Sequence, residues 1–326
     1  MQEISVRATA KINLGLDVTG KRADGYHELR MIMQSVQLCD RIRLRRTEER
    51  GIRLRTNLEC LPTDEHNLAY RAAQLLLETP GIRGGEDSFG DEAACAMKAP
   101  GVGTDEVSCA GTSQGAATDG GLAIEIEKAI PVAAGLAGGS SDAAAVLVGV
   151  NELFGLGLTQ AQLMKLGVKL GADVPYCVLR GTALAEGIGE KLTVLPALPA
   201  CYILIAKPDA AISTKYVYTH LDLASVTAHP DIDAQVRALE AGDLQGVCRH
   251  AGNVLERVTE AVCPEVKAIR TLIAESGALC ARMSGSGPSV FGIFEEETAA
   301  ERCAEALRQR ADLRVECALV TQAFRN

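Results

Sequence analysis

Residues 131–145 read PVAAGLAGGSSDAAA, and the chain on either side of them is organised around this loop. Upstream, LAIEIEKAIP at 122–131 alternates apolar and charged residues as a half-buried strand does, and it stops at a proline. Downstream, SSDAAAVLVGVNELF from Ser140 to Phe154 is a small-residue, apolar run long enough for a buried helix. Glycines at 135, 138 and 139 join the two and let the backbone come close to a ligand. Ser140 and Ser141 are expected to open the helix, whose first N–H groups have no partner within it and carry the positive end of the helix dipole. A terminus of that kind holds phosphate. The loop lacks the Lys of a Walker A sequence and does not match G-x-G-x-x-G. Taken alone it is either a phosphate cradle or a glycine turn that serves tight packing.

A second glycine-rich element, SGSGPS at 284–289, lies between apolar stretches that read as strands. Alone it is a hairpin turn. Paired with the first loop, it suits a chain that binds a nucleoside triphosphate and a second phosphorylated ligand. Phosphoryl transfer also needs charge neutralisation and a carboxylate that accepts the acceptor's proton. ATAKINLGLDV at 8–18 places Lys11 and Asn13 on one face of an early strand, two residues apart. LGADVPYC at 170–177 places Asp173 in a loop that leaves a helix.

The remaining elements fall around these segments. ADGY at 23–26 is a turn, and DRIRLRR from Asp40 and GIRLR from Gly51 read as a hairpin joined at 47–50. Its apolar residues Ile42, Leu44, Ile52 and Leu54 face inward, and its arginines make a solvated edge. A helix is expected over 64–77 with Asp64 as its cap, and another after the Thr159 cap. Residues 80–121 hold 10 of the 32 glycines and show no period, which predicts a mobile surface insertion. The prolines at 196 and 199 mark a boundary between an N-terminal region, 1–195, and a C-terminal region, 196–326. Beyond it come a strand at 201–208, helices over 215–278, a strand, turn and strand at 282–294, a helix and a last strand. Mixed helices and strands in this order predict two α+β domains.

Composition narrows the function classes. The chain has 326 residues, 47% hydrophobic and 23% charged, with a net charge of −9. That sign gives no general attraction to nucleic acid or anionic membrane, so neither is expected as a partner. Seven acidic and two basic residues fall between 80 and 121, so more than half of the net negative charge belongs to the insertion. No stretch reaches the roughly 18 apolar residues of a membrane span, and the N-terminus lacks the order of a signal peptide, which predicts a cytoplasmic protein. The 11 cysteines show no zinc spacing and are expected to be reduced and packed. A monomer or weak homodimer is the expected assembly.

ATAKINLGLDV, DGYHEL, PVAAGLAGGSSDAAA, LGADVPYC and RMSGSGPSVF together resemble, in order, the motifs of the galactokinase, homoserine kinase, mevalonate kinase and phosphomevalonate kinase superfamily. KINLGLDV followed by KRADGYHEL is most similar to its branch acting on 4-diphosphocytidyl-2-C-methyl-D-erythritol. The resemblance spans nearly the whole chain apart from 80–121. It implies a ribosomal-protein-S5-like N-terminal domain that binds ATP and a ferredoxin-like C-terminal domain that binds substrate. It further implies ATP-dependent phosphorylation of the 2-hydroxyl of that cytidine compound in non-mevalonate isoprenoid biosynthesis, with Mg2+ bridging the phosphates. Asp173 matches the proton acceptor and Lys11 its paired cation. Pro131, Val132, Ala133, Ala134, Gly135, Leu136, Ala137, Gly138, Gly139, Ser140 and Ser141 match the ATP cradle, with Asn67 and Lys128 by the adenosine. Asn13, Tyr26, His27, Thr214 and Tyr218 match the substrate site, the two tyrosines on opposite sides of the cytosine ring. GLAGGSS departs from the commoner unbroken glycine run, so Ala137 is expected to narrow the cradle. The alternatives are a homoserine or mevalonate type of kinase, which DGYHEL argues against, and a nonenzymatic binding protein, which Lys11 and Asp173 argue against.

Overall fold

The computed structural model of the chain describes residues 2–23, 25–78 and 120–325. The expected insertion at 80–121 therefore lies outside the described residues except at Gly120 and Gly121. The first half of the chain forms β1 (Glu3–Lys21), β2 (His27–Thr47), β3 (Ile52–Thr56), α1 (Leu68–Glu78), β4 (Gly121–Glu127), α2 (Gly138–Phe154), α3 (Gln160–Val168), α4 (Val174–Leu179), β5 (Thr182–Gly187) and β6 (Lys191–Val194). β1 and β2 make a long antiparallel pair, interrupted by register shifts at Thr9/Lys11, Asn13/Gly15 and Val18/Gly20. β2 is long enough to pair with β5 through 29–34 and with β4 through 41–47.

The hairpin expected between 40–46 and 51–55 does not form. β4 lies between β2 and β3, antiparallel to β2 and parallel to β3. The burial explains the order: Leu122, Ile124 and Ile126 of β4 are all at most 1% exposed and need cover on both sides, whereas β3 buries only Leu54 fully. A short arginine-bearing strand suits the edge of a sheet. The first helix also differs from expectation. It starts at Leu68, with the Asn67 side chain accepting from the Ala69 N–H, while Asp64 accepts from the His66 N–H in a preceding turn. Thr159 does cap α3, in a reciprocal box with Gln162.

α2 lies close on the sheet because its inner face is small. A Cβ at Gly149 would stand 2.4 Å from Leu44 Cδ1, and Ala143, Ala144 and Ala145 are buried beside it. That approach carries the start of α2 to the bulged part of β1.

The second half forms β7 (Tyr202–Pro208), α5 (Thr214–Thr219), α6 (Ile232–Glu240), α7 (Leu244–Arg249), β8 (Gly252–Asn253), α8 (Glu256–Val262), α9 (Pro264–Glu275), β9 (Cys280–Met283), β10 (Val290–Phe294), α10 (Glu297–Arg308) and β11 (Val315–Gln322). Its four-stranded sheet has the order β11-β7-β10-β9. With α9 and α10 this is the βαββαβ path of a ferredoxin-like unit. β8 is the exception, since it pairs with β1 and adds a strand from the second half to the first sheet. The two sheets meet through Ala10, Ile12 and Leu14 of β1 and Ile203, Ile205, Phe291 and Ile293 of the second sheet. Each such fully buried large aliphatic side chain contributes about 1.5–3 kcal/mol. With Ile12 spent on this contact, Lys11 and Asn13 are left for the other side of β1. The nine described cysteines are unpaired, and among the described residues no helix is long and apolar enough to cross a membrane.

Candidate active site

A cavity of about 1260 Å3 lies on the Lys11 side of β1, walled by the loop before α2, α5 and the turn at 285–286. It exceeds the roughly 300–1000 Å3 usual for one small ligand, so two substrates fit side by side. Lys11, Asn13, Tyr26, His27, Asn67, Lys128, Asp173, Thr214 and Tyr218 all line it, as do 131–135 and 137–140. Leu136 and Ser141 do not. The Leu136 side chain is 1% exposed in the core between the sheets, and the Ser141 hydroxyl donates to the Thr9 carbonyl.

The loop before α2 takes its shape from left-handed residues at alternate positions, Ala133 (φ 52°), Gly135 (φ 73°) and Ala137 (φ 57°). α2 begins at Gly138, so Ser140 and Ser141 lie within its first turn and do not open it. The Ser141 N–H already donates to the Ala137 carbonyl, which leaves the N–H groups of Gly138, Gly139 and Ser140 as the helix's unpaired donors beside the cavity. Ala137 holds a conformation that costs a residue with a Cβ about 1–2 kcal/mol.

The second glycine-rich loop packs directly against the first. The Ser284 hydroxyl donates to the Gly135 carbonyl at 3.0 Å, and the Ser289 N–H donates to the Ala134 carbonyl at 3.3 Å. A Cβ at Gly135 would lie 2.2 Å from the Ser284 carbonyl oxygen, so the contact requires glycine. Gly285 and Ser286 then face the same cavity, where the Ser286 and Thr214 hydroxyls are 2.9 Å apart.

The register shift at Thr9/Lys11 frees the Lys11 N–H to bond the Leu136 carbonyl, which ties β1 to the loop. The Lys11 ammonium donates to Asn13 Oδ1 at 2.7 Å and lies 3.8 Å from Asp173 Oδ2. Asp173 precedes the short α4 and its carboxylate makes no capping hydrogen bond. A hydroxyl oxygen can stand about 2.8 Å from both charged atoms above a base of that length.

Lys128 departs most from the expectation of an adenosine contact. Its side chain is 4% exposed and donates to Asp142 Oδ2 at 2.7 Å and to Asp40. Asp40 also accepts the N–H groups of Ala129 and Ile130. Burial alone would lower the Lys128 ammonium, but the two carboxyl groups outweigh it and hold its pKa above the ordinary value. Burial pushes the Asp142 carboxyl up to about 8. The second Asp142 oxygen is buried without a hydrogen-bond partner. A raised Asp142 pKa weakens the negative charge in the first turn of α2, where an anion would bind. Neither Asp40 nor Asp142 was singled out by the sequence motifs. The signal was in the alternation, because Asp40 is in phase with Ile42 and Leu44, and Lys128 with Leu122, Ile124 and Ile126. Asn67 lines the cavity, yet its amide is committed to the start of α1, donating to the Pro62 carbonyl.

On the opposite wall, the His27 and Tyr218 rings are 5.4 Å apart and tilted by 32°. Tyr218 thus leans on His27, while Tyr26 is 61% exposed at the rim. Burial, and then the nearby Lys21 charge, lower the His27 pKa, so its imidazole is neutral at pH 7. Burial raises the Tyr218 phenol, which stays protonated. Among the described residues no group of three or more His, Cys, Asp or Glu side chains is arranged to hold a metal ion.

Comparison with known proteins bears on the same residues. Profiles of the GHMP kinases N terminal domain and the GHMP kinases C terminal match residues 107–181 and 235–313. A 4-diphosphocytidyl-2-C-methyl-D-erythritol kinase from Lachnospira eligens is 47% identical over 314 residues, 96% of each chain. One from Lachnoclostridium phytofermentans is 48% identical over 302 residues, 93% of this chain and 91% of that one. A crystal structure of a 4-(cytidine 5'-diphospho)-2C-methyl-D-erythritol kinase superposes with a TM-score of 0.75 at 31% identity, covering 99% of this chain and all of the other.

Proposed function

Because this chain belongs to the 4-diphosphocytidyl-2-C-methyl-D-erythritol kinases of the GHMP kinase family, we propose that Lys11 and Asp173 carry its phosphoryl transfer from ATP to the 2-hydroxyl of that compound. The observation that carries this assignment is the 3.8 Å gap between the Lys11 ammonium and the Asp173 carboxylate, on the cavity wall beside the unpaired N–H groups of α2. Asp173 takes the hydroxyl proton as the oxygen attacks the γ-phosphorus, whose bond to the β,γ-bridging oxygen breaks to release ADP. Lys11 stabilises charge gathering on the reacting oxygens. Asn13 orients the lysine from behind.

The N–H groups of Gly138, Gly139 and Ser140 hold the ATP phosphates, and 131–135 wall the nucleotide. Lys128 supports that cradle from below through its contacts with Asp40 and Asp142, in place of the direct adenosine contact its position suggested. His27 presents a neutral edge to the cytosine, Tyr26 closes over the ring from the rim, and Tyr218 and Thr214 supply the far wall. Mg2+ suits a donor set this sparse, since it keeps several waters and binds mainly through phosphate oxygens. Ser140 and Asp173, which both line the cavity, would hold it, and it would supply charge neutralisation between the phosphates. The two-domain division at 195/196, with ATP held by the first domain and acceptor contacts added by the second, and a cytoplasmic location belong to the same reading.

The test is a coupled assay with ATP and a panel of alcohols that includes the cytidine compound, homoserine and mevalonate. Strict preference for the cytidine compound is expected. Equal turnover of homoserine or mevalonate would defeat the proposal.

A further inference from the structure

On the reading just given, the acceptor carries a diphosphate between its cytidine and the alcohol that reacts, and the residues assigned so far leave that double negative charge without a partner. Four lysines line the cavity: Lys11, Lys21, Lys128 and Lys215. Two are committed, Lys11 to Asn13 and Asp173, and Lys128 to Asp40 and Asp142. Lys21 and Lys215 are exposed and make no side-chain hydrogen bond or ion pair among the described residues. Their places are specific. Lys21 ends β1 directly across from His27 in the strand register, close enough for its charge to act on the imidazole. Lys215 stands in α5 next to Thr214 and three residues before Tyr218, a spacing that puts it on the same side of the helix as the ring. The two cations therefore stand one beside each ring of the His27–Tyr218 pair.

We propose that Lys21 and Lys215 form a two-sided cationic subsite that takes the diphosphate of the nucleotide-linked acceptor and so selects it over alcohols that carry none. In a chain with a net charge of −9, two cations without partners at one mouth favour the entry of an anion there. A lysine is a mobile point charge on a flexible stem, which suits a diphosphate that shifts as the alcohol reaches Asp173.

Calorimetric titration with cytidine and with CDP tests this in the full chain, wild type against Lys21→Met, Lys215→Met and the double variant. Saturating adenylyl imidodiphosphate keeps CDP out of the ATP cradle. Wild type is expected to bind CDP more tightly than cytidine, with about tenfold lost for each lysine removed. Cytidine affinity should be the same in all four proteins, and Arg at either position should restore CDP binding. Equal CDP affinity in wild type and the double variant would overturn the inference while leaving the kinase reading intact. Loss of cytidine binding together with CDP binding in the double variant would overturn it as well, because a diphosphate subsite has no part in holding the ring. If the wild-type chain bound neither cytidine nor CDP, the kinase reading would fail, and the subsite with it.

Discussion

Replacing Lys128 with Met separates a buried support from a nucleotide contact. The methionine fills a similar volume but leaves Asp40, fully buried, and Asp142, with its side chain 6% exposed, without their shared cation. Breaking a buried ion pair by removing one partner costs roughly 3–5 kcal/mol. The lower end applies here for two reasons. Burial holds the Asp142 carboxyl well above the usual carboxylate range, which favours its neutral form, and Asp40 keeps the N–H groups of Ala129 and Ile130. A loss of about 3 kcal/mol is expected, or roughly 6–12 °C in melting temperature. Urea denaturation at pH 7 without nucleotide measures it, and Lys128→Met/Asp40→Asn completes the cycle. Because that double variant no longer buries an unpaired charge, about 2 kcal/mol of the loss should return, and nucleotide affinity should return with it. A loss below about 1 kcal/mol, or a double variant that is stable yet still fails to bind ATP, would refute the argument and make Lys128 a direct ligand.

Three further outcomes are expected. Asp173→Asn should lower kcat by roughly 10²–10⁴ while leaving the dissociation constant of an ATP analogue nearly unchanged; turnover within a few-fold of wild type would remove Asp173 from proton transfer. The folded-state pKa of Asp142 lies above its ordinary 3.8, so the folded protein holds a proton that the unfolded chain releases, and this contribution to stability falls as pH rises from about 4 to about 8. The stability difference between wild type and Asp142→Asn should shift against wild type across that window, and a flat difference would mean that Asp142 is ionised throughout. Gly135→Ala places a Cβ 2.2 Å from a backbone oxygen at φ 73°, so thermal melting should show a loss greater than the 1–2 kcal/mol of left-handed strain alone, with weaker binding of ATP analogues. A variant as stable as wild type would show that the two glycine-rich loops do not need to touch.

How much was legible in the sequence follows from the range of each interaction. Strand alternation, the small-residue helix after the glycine loop and the Thr159 capping box are local patterns, and the chain forms them where they are read. The ordered motifs picked out the family, and 18 of the 20 site residues they implied line the cavity, all but Leu136 and Ser141. The misplaced features depend on partners distant in sequence. The paired arginine-rich segments resemble a hairpin until β4, some 65 residues later, supplies a more apolar strand that takes the place between them. The two glycine-rich loops look like separate elements until the fold presses Gly135 against Ser284.

Lys128 shows the division most clearly. Alternation alone places Asp40 and Lys128 on inward faces of their strands, and helical spacing puts Asp142 on the buried side of α2. An isolated strand or helix cannot bury any of the three, because a charge without a partner costs too much in a medium of low dielectric. The sequence thus determines which side each residue faces and which chemistry the motifs carry. Only the tertiary structure decides that one lysine bonds two acidic side chains from different elements beneath the start of a helix that is left open to phosphate, since that contact exists only once β2, β4 and α2 meet.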